Sequence, residues 1–527
     1  MTLDTRTGIE PAPGTASRVK PATLALLSMY DIENNATRVL AASARRAGHR
    51  VIEIFFKDWV NNDFIPPNPY ELSALVSLLR EHDVDMAAIS VRASAYHKVA
   101  SRLTRLIRDQ VDVPVMWGGT HAILVPEKCI EVADAVCVGE GDITIVDSLT
   151  AIAEGRDLAG LKNLWVRDGG SIIRNPVENL VQNLDTLPFR DYTSADKFWI
   201  QGRKVRQGDP MVGDPVFPIM CSRGCVFKCS YCYNSQFATD VYKGKGKYYR
   251  TRSVSDVIDE INRNRAVFPN MMKVKFDDEV FPLAKGWIEE FIDRYPREVG
   301  LPFEAFIEPK LVETDLFTRL RGAGLEVIYM GVQNTHRVNA EIYDRYVPES
   351  KIVESVQLFH DIGIDYRLQV IVDDPMSSSE DKQYLFDFLL SLPRPFELYL
   401  FSMVVFPNTS LARKLISSGL ITEKEVEGEI TKTFQQMRVS LNWPRKPEDT
   451  FWCCMLVLLT KPFLPKPFLR WLSRNAWLKA NPRPLVWFAQ AANVVKMAGV
   501  CLRMLKKGEL TYTLVRRWAN PNSMISQ

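Results

Sequence analysis

The stretch Cys221-Ser-Arg-Gly-Cys225-Val-Phe-Lys-Cys229-Ser-Tyr-Cys232-Tyr-Asn234 holds four of the chain's nine cysteines within twelve residues. The last three carry the spacing C-x3-C-x2-C. Three thiolates on one short loop can bind three irons of a 4Fe-4S cluster and leave the fourth iron open to a substrate or cofactor. An open iron supports chemistry rather than electron storage alone. A structural zinc site would want four N or S ligands, usually as two separated C-x2-C pairs. Cys221 ends an apolar run at 216–220 and reads as a buried structural thiol rather than a fourth ligand.

A loop of this kind needs a scaffold, and the surrounding pattern supplies one. Strand-length apolar runs at 216–220, 273–276, 303–307, 327–330, 367–372 and 397–402 alternate with helical patterns. That rhythm predicts a parallel α/β arrangement, here a partial (β/α)6 barrel, whose working residues belong at the carboxyl ends of its strands. The polar residues at those ends are Asp277-Asp278-Glu279, Glu308 and Gln333, the last within Gly331-Val-Gln333. Arg345 follows in Tyr343-Asp-Arg345, then Asp373-Asp-Pro375 and Phe406-Pro-Asn-Thr409. The plain alternatives are a helix N-cap for Asp278 and a solvent-facing charge for Arg345.

Upstream, runs at 23–29, 50–55, 86–91, 113–117 and 135–138 alternate with helices starting near Asn35, Tyr70, Tyr96, Pro126 and after Asp142. Five such units predict a doubly wound sheet, which binds ligands at the carboxyl ends of its strands. Trp117-Gly118-Gly119-Thr120-His121 and Gly139-Glu140-Gly141-Asp142 stand at two of those ends. Glycines there let backbone approach a large planar ligand closely. Residues 165–174, with Gly169-Gly170 between β-like runs, read as a hairpin.

The cysteine stretch resembles the cluster loop of the radical S-adenosylmethionine (radical SAM) enzymes. The resemblance implies Cys225, Cys229 and Cys232 as catalytic cluster ligands, with Tyr231 at the family's aromatic position and Gly224 at the loop's bend. It implies that the acidic turn Asp278-Glu279 holds the methionine ammonium of SAM, which offers three donors and no acceptor. Glu308, Gln333 and Arg345 would complete the SAM site, although relatives usually have Gly-x-Glu where this chain has Gly331-Val-Gln333. The N-terminal region is similar to the cobalamin-binding domain preceding many radical SAM domains. Gly118, Gly119, Thr120, His121, Gly139, Glu140 and Gly141 would then border the corrin and its nucleotide tail. The Asp-x-His-x-x-Gly motif that ligates cobalt in other cobalamin proteins is absent, which leaves Arg92, Tyr96 or His97 to face the lower side of the cobalt. Asn183-Leu-Asp-Thr-Leu-Pro188 resembles the family's interdomain signature.

The resulting layout is a disordered leader over 1–20, a Rossmann-like cobalamin-binding domain over 21–160 and a linker over 161–193. A radical SAM barrel follows over 194–420, then a helical, basic, Trp-rich region over 421–527. The implied activity is methylation of an unactivated carbon using a 4Fe-4S cluster, S-adenosyl-L-methionine and cobalamin. A ring-forming or rearranging oxidation without methyl transfer, and a non-catalytic iron-sulfur or cobalamin-binding regulator, are the alternatives. Methylthio transfer to transfer RNA is disfavoured, because the N-terminal domain supplies only Cys129 and Cys137 where a second cluster needs three thiols.

Composition narrows the partners. Hydrophobic residues make up 46% and charged residues 24%, as in ordinary globular proteins. The net charge of +3 gives no global argument for nucleic acid. Scattered cysteines without a disulfide framework point to a reducing, cytoplasmic setting. No uninterrupted apolar run of membrane-spanning length is legible. Residues 461–527, however, hold twelve basic residues and one acid, or +11, leaving −8 for the rest. Phe463, Phe468, Trp471, Trp477, Trp487, Phe488 and Trp518 interleave with those charges. Gln490, Asn493 and Lys496 recur every three positions as the polar face of a helix. The tail reads either as a helix lying on an anionic membrane or as a cap packed on the barrel. The expected partners are a small, hydrophobic or amphiphilic substrate and a one-electron reductant of flavodoxin or ferredoxin type.

Overall fold

In the computed structural model, residues 20–58, 65–426, 441 and 444–507 are described. The expected leader and residues 508–527 lie outside them. Two large sheets account for the architecture, one with a parallel centre and antiparallel edges and one wholly parallel.

The N-terminal sheet uses β1 (Thr23–Met29), β2 (Arg50–Phe56), β3 (Met86–Ser90), β4 (Val115–Gly118) and β5 (Ala135–Cys137), within a residue or two of the expected runs. All seven residues of β1 are buried, as a central strand covered by helices on both faces requires. The hairpin of β6 (Leu164–Asp168) and β7 (Ser171–Arg174) extends one edge antiparallel to β5. A second hairpin, β8 (Lys197–Gln201) and β9 (Lys204–Gln207), extends the other edge beside β2. The complete order is β7-β6-β5-β4-β3-β1-β2-β8-β9. Residues 197–207 therefore lie in the N-terminal sheet, although they follow the expected boundary near 194. A hairpin rich in β-branched and aromatic residues carries no local mark of which sheet edge it will join.

The second sheet consists of β10 (Val216–Ile219), β13 (Lys273–Phe276), β14 (Phe303–Ile307), β15 (Leu325–Gln333), β16 (Asp365–Val372) and β17 (Glu397–Ser402), in that order and all parallel. It is the expected six-stranded partial barrel. A small antiparallel pair, β11 (Ser222–Arg223) with β12 (Arg250–Thr251), sits at the start of the cysteine loop. On β13, Val274 and Phe276 enter the apolar core while Lys273 and Lys275 face the barrel interior, half-buried.

The C-terminal helices complete the barrel wall. Phe451, Trp452, Cys454 and Leu458 on the helix Pro447–Leu459 are buried in the same core as the barrel helices. Arg445 holds Asp373, at the end of β16, through two contacts of 2.8 Å. The region is thus in part a packed cap.

Candidate functional site

The cysteine loop leaves β10 and is bent by Gly224, whose φ is +85°. A Cβ there would lie 2.5 Å from the backbone oxygen of Tyr248, so only glycine fits. The following turn is pinned from the barrel side. Ser230 N–H donates to Tyr343 O at 2.9 Å, its hydroxyl donates to Ile342 O at 2.7 Å, and Leu411 N–H donates to Ser230 O at 3.0 Å. Tyr231 packs edge-on against Tyr343, 5.1 Å between ring centres. Cys225, Cys229 and Cys232 are half-buried, whereas Cys221 is fully buried under the loop.

These features bear on which group the loop fits. Ligands of one tetrahedral zinc converge, with sulfurs about 2.3 Å from the ion. The loop offers three half-buried thiols, while Cys221 is fully buried beneath it, with its N–H donating to Asp278. Three accessible thiols fall one short of a structural zinc's four ligands and match a cluster with one open iron. Burial pushes the Cys225 thiol up to about 11, so the charge of bound iron is what would hold it as a thiolate.

At the carboxyl ends of β14 and β15, Arg345 donates to Glu308 at 2.8 Å and to Gly331 O at 2.6 Å. The side chains of Gln333 and Arg345 close over Gly331, where a Cβ would stand 2.5 Å from Gln333 Nε2 and 3.3 Å from Arg345 Nη2. Gln333 itself takes a left-handed backbone, φ 64°. Arg345 is buried, not the solvent-facing helix charge of the plain reading. Burial raises the Glu308 carboxyl and the adjacent Arg345 pulls it back.

The acidic turn after β13 divides its labour. Asp278 is buried and accepts from Cys221 N–H at 3.0 Å and from the Ser222 hydroxyl at 2.5 Å. Burial pushes its carboxyl up to about 7 against those bonds. Its oxygens thus bind the Cys221 backbone and the Ser222 hydroxyl of the loop itself, rather than lining the cavity where Asp278 was expected to hold a SAM ammonium. Glu279 instead lines the central cavity and accepts from Tyr233 Oη at 2.8 Å.

That cavity, about 380 Å³, opens between the two sheets. One wall is the carboxyl edge of the N-terminal sheet, with Ala36, Ala88, Gly118, Gly119 and Gly141; the opposite wall has Ser222, Arg223, Gly224 and Glu279. Gly119 has φ +95°, and a Cβ on it would meet Val91 O at 3.0 Å. The helix Asn35–Arg46 is set against this edge by its N-cap Asn34, which also donates to Ser28 Oγ at 3.0 Å and Ser90 Oγ at 3.1 Å. Small residues on a mostly apolar wall fit the close approach of a large flat ring system.

Several expected site residues are engaged otherwise. His121 is buried, with Nδ1 3.0 Å from Ser94 Oγ and Nε2 3.2 Å from His97 Nδ1, and burial drops it to about 3. It points into its own domain rather than into the cavity. Tyr96 stacks on Tyr30, and His97 packs edge-on against Trp117. Arg92 ion-pairs with Asp31. Thr120 and Gly139 do line the cavity.

The Gly139–Asp142 turn has a role that sequence reasoning missed. Asp142 receives two hydrogen bonds from Arg223, 2.7 and 3.0 Å, and Glu140 receives two from Arg250, 2.6 and 3.0 Å. Both arginines belong to the β11–β12 pair that carries the cysteine loop. Arg190 bridges the domains as well, donating to Asn35 Oδ1 at 2.6 Å, Pro218 O at 2.7 Å and Glu260 at 2.9 Å. Arg223 stood inside the cysteine motif as a detectable signal. Its partner, eighty-one positions earlier, had none.

Residues 23–148 match the B12 binding domain family, and residues 219–388 match the radical SAM superfamily. An uncharacterized methyltransferase of Pyrococcus horikoshii is 23% identical over 361 residues, 66% of this chain and 73% of that protein. The anaerobic magnesium-protoporphyrin IX monomethyl ester cyclase of Rubrivivax gelatinosus is 23% identical over 61% of this chain and 55% of its own length. The bacteriochlorophyllide d C-8(2)-methyltransferase of Chlorobaculum tepidum is 22% identical over 66% of this chain and 71% of its own. Among solved structures, the radical SAM methyltransferase TsrM of Kitasatospora setae, with cobalamin and a [4Fe-4S] cluster bound, shares the fold. It superposes with a TM-score of 0.60 and 18% identity over 90% of this chain and 100% of that one. The chain therefore carries a B12-binding domain followed by a radical SAM domain and a helical C-terminal region.

Proposed function

We propose that this chain, a radical SAM protein with an N-terminal B12-binding domain, is a cobalamin-dependent methyltransferase acting on an unactivated carbon of a small substrate. The observation that carries the reading is the shared cavity, with the glycine turns of one domain on one wall and Ser222-Arg223-Gly224, the start of the cysteine loop, with Glu279 on the other. Bound together, the cluster, SAM and cobalamin supply reductive SAM cleavage and a transferable methyl group. The chain's own residues place and seclude these groups. Cys225, Cys229 and Cys232 would hold the cluster, with Gly224 giving their loop its bend. Glu279, Glu308, Gln333 and Arg345 would hold SAM, and Tyr231 would orient the loop against the barrel. Gly118, Gly119, Thr120 and Gly139–Gly141 would border cobalamin, while Asp142 and Glu140 keep the cysteine loop at a fixed distance through Arg223 and Arg250. Arg92, held by its ion pair with Asp31, is proposed to lie beside the cobalamin.

The partners proposed with this activity are a hydrophobic or amphiphilic substrate and a one-electron reductant of flavodoxin or ferredoxin type. The setting is cytoplasmic, with peripheral attachment to an anionic membrane. Similarity to a cyclase as well as to methyltransferases keeps cyclisation without methyl transfer as the second reading. Anaerobic reconstitution separates them. Methyl transfer predicts one cobalamin and four irons per chain, with S-adenosylhomocysteine formed alongside 5'-deoxyadenosine under reduction. Cleavage of SAM without S-adenosylhomocysteine would favour the cyclase reading. A folded protein that takes up no cobalamin would refute both.

A further inference from the structure

The C-terminal helix Arg483–Lys507 is mounted with its amphipathicity reversed. Leu485, Ala489 and Ala492 are buried against the protein, where the helix packs on Pro447–Leu459. Lys496, expected on the solvent face, instead pairs with Glu397 at 3.1 Å, and Gln490 and Asn493 are half-buried. The bare face is apolar: Trp487 is 76% exposed, Val494 69%, Val495 58%, Leu502 60% and Leu505 59%. Their spacing of 7, 1, 7 and 3 residues keeps them on one side of an α-helix, a stripe about 27 Å long at 1.5 Å per residue. By length and composition the stretch Arg483–Leu502 is apolar enough to cross a membrane. The run is nonetheless interrupted by Gln490, Asn493 and Lys496. Those residues all fall on the protein side.

Surface helices ordinarily turn such a stripe inward, and contiguous exposed apolar patches mark a partner. The patch continues onto the earlier helix Lys466–Ser473, where Phe468 meets both Trp471, 63% exposed, and Phe488. Around it, Arg470, Arg474 and Arg483 are exposed. Residues 461–502 hold seven basic side chains and no acid.

We propose that this face seats the enzyme on an anionic lipid bilayer, with the helix lying in the interface plane and its outward stripe among the acyl chains. The buried anchors hold the helix along the protein and exclude threading across the bilayer. Indole rings suit an interface where one edge stays wet. Charge selects the bilayer over a second copy of the chain, since pairing two such faces would oppose arginines with no acid between them. The seating stands independently of the cofactor assignment.

The test is co-sedimentation of the full-length protein with phosphatidylcholine vesicles, with and without phosphatidylglycerol. Binding should require the anionic lipid and weaken with salt, by about fivefold in partition for each engaged basic residue lost. The double variant Trp487→Glu, Val494→Glu alters only exposed side chains. It should bind at least tenfold more weakly while keeping its iron, cobalamin and unfolding temperature. The variant Arg470→Gln, Arg474→Gln, Arg483→Gln should lose the preference for anionic lipid. Wild-type protein left in the supernatant at low salt would overturn the proposal, as would undiminished binding by the double variant. So would a dimer by light scattering that the double variant dissociates, with no vesicle binding, which would make a second copy the occupant.

Discussion

Glu260 lies beneath the cysteine loop and offers a prediction with a definite sign and size. It is 1% exposed on the helix Val254–Asn264 and accepts from Arg190 Nε at 2.9 Å and Arg252 Nη1 at 2.5 Å. Those arginines in turn donate to Pro218 O at 2.7 Å and Met220 O at 3.2 Å, and Arg252 N–H donates to Cys221 O at 2.8 Å. The carboxylate thus organises the strand that launches the cluster loop. Burial alone would raise its pKa, but the two arginines outweigh burial and lower it from 4.5 to about 2. A carboxyl depressed by folding contributes stability that is full above its unfolded value and lost as pH falls through its folded value. At pH 7 this amounts to about 3 kcal/mol at 1.36 kcal/mol per decade, within the usual cost of stranding one member of a buried pair. Glu260→Gln should therefore lose about 3 kcal/mol at pH 7, about 2 kcal/mol at pH 3.5, and almost nothing by about pH 1. Anaerobic urea unfolding of wild type and variant across that range measures the gap. A difference under about 1 kcal/mol at pH 7, or one that grows on acidification, would refute the reasoning. Iron retention should fall with stability, since Arg190 holds Pro218 and Arg252 holds Met220 and Cys221.

Two further predictions concern the cofactor groups. Cys225→Ala, Cys229→Ala and Cys232→Ala should each lose most of the iron, while Cys221→Ala should keep it; iron analysis after anaerobic reconstitution decides, and a Cys221 variant that alone loses iron sinks the ligand assignment. Ala36→Trp places a large ring at the cavity wall from an exposed helix position. It should abolish cobalamin uptake in equilibrium dialysis while leaving iron intact, and unchanged uptake would mean that cobalamin does not use this cavity. Gly119→Trp should do the same, although its left-handed backbone and the nearby Val91 O also strain the turn.

The cluster loop and the parallel strands of both sheets were legible in the sequence for a local reason. C-x3-C-x2-C is a contiguous signal, and strands buried on both faces appear as apolar runs whose period needs no partner to be read. The glycines at Gly119 and Gly224 were equally legible, because a left-handed and crowded backbone excludes other residues wherever the chain goes. Which carboxylate does which task was settled only by tertiary structure. Asp278 and Glu279 are neighbours of the same charge, yet one turns onto Cys221 and Ser222 and the other into the cavity. Asp142 and Glu140 look like ligand-facing residues until Arg223 and Arg250 arrive from the other domain. The C-terminal helix shows the same limit most plainly. Its sequence determines that one face is apolar and the other carries Gln490, Asn493 and Lys496, because 3.6 residues per turn sort side chains onto faces. Which face meets the protein depends on Glu397 of β17 and the helix Pro447–Leu459 waiting at one particular place, and helical periodicity contains no information about what lies across the gap.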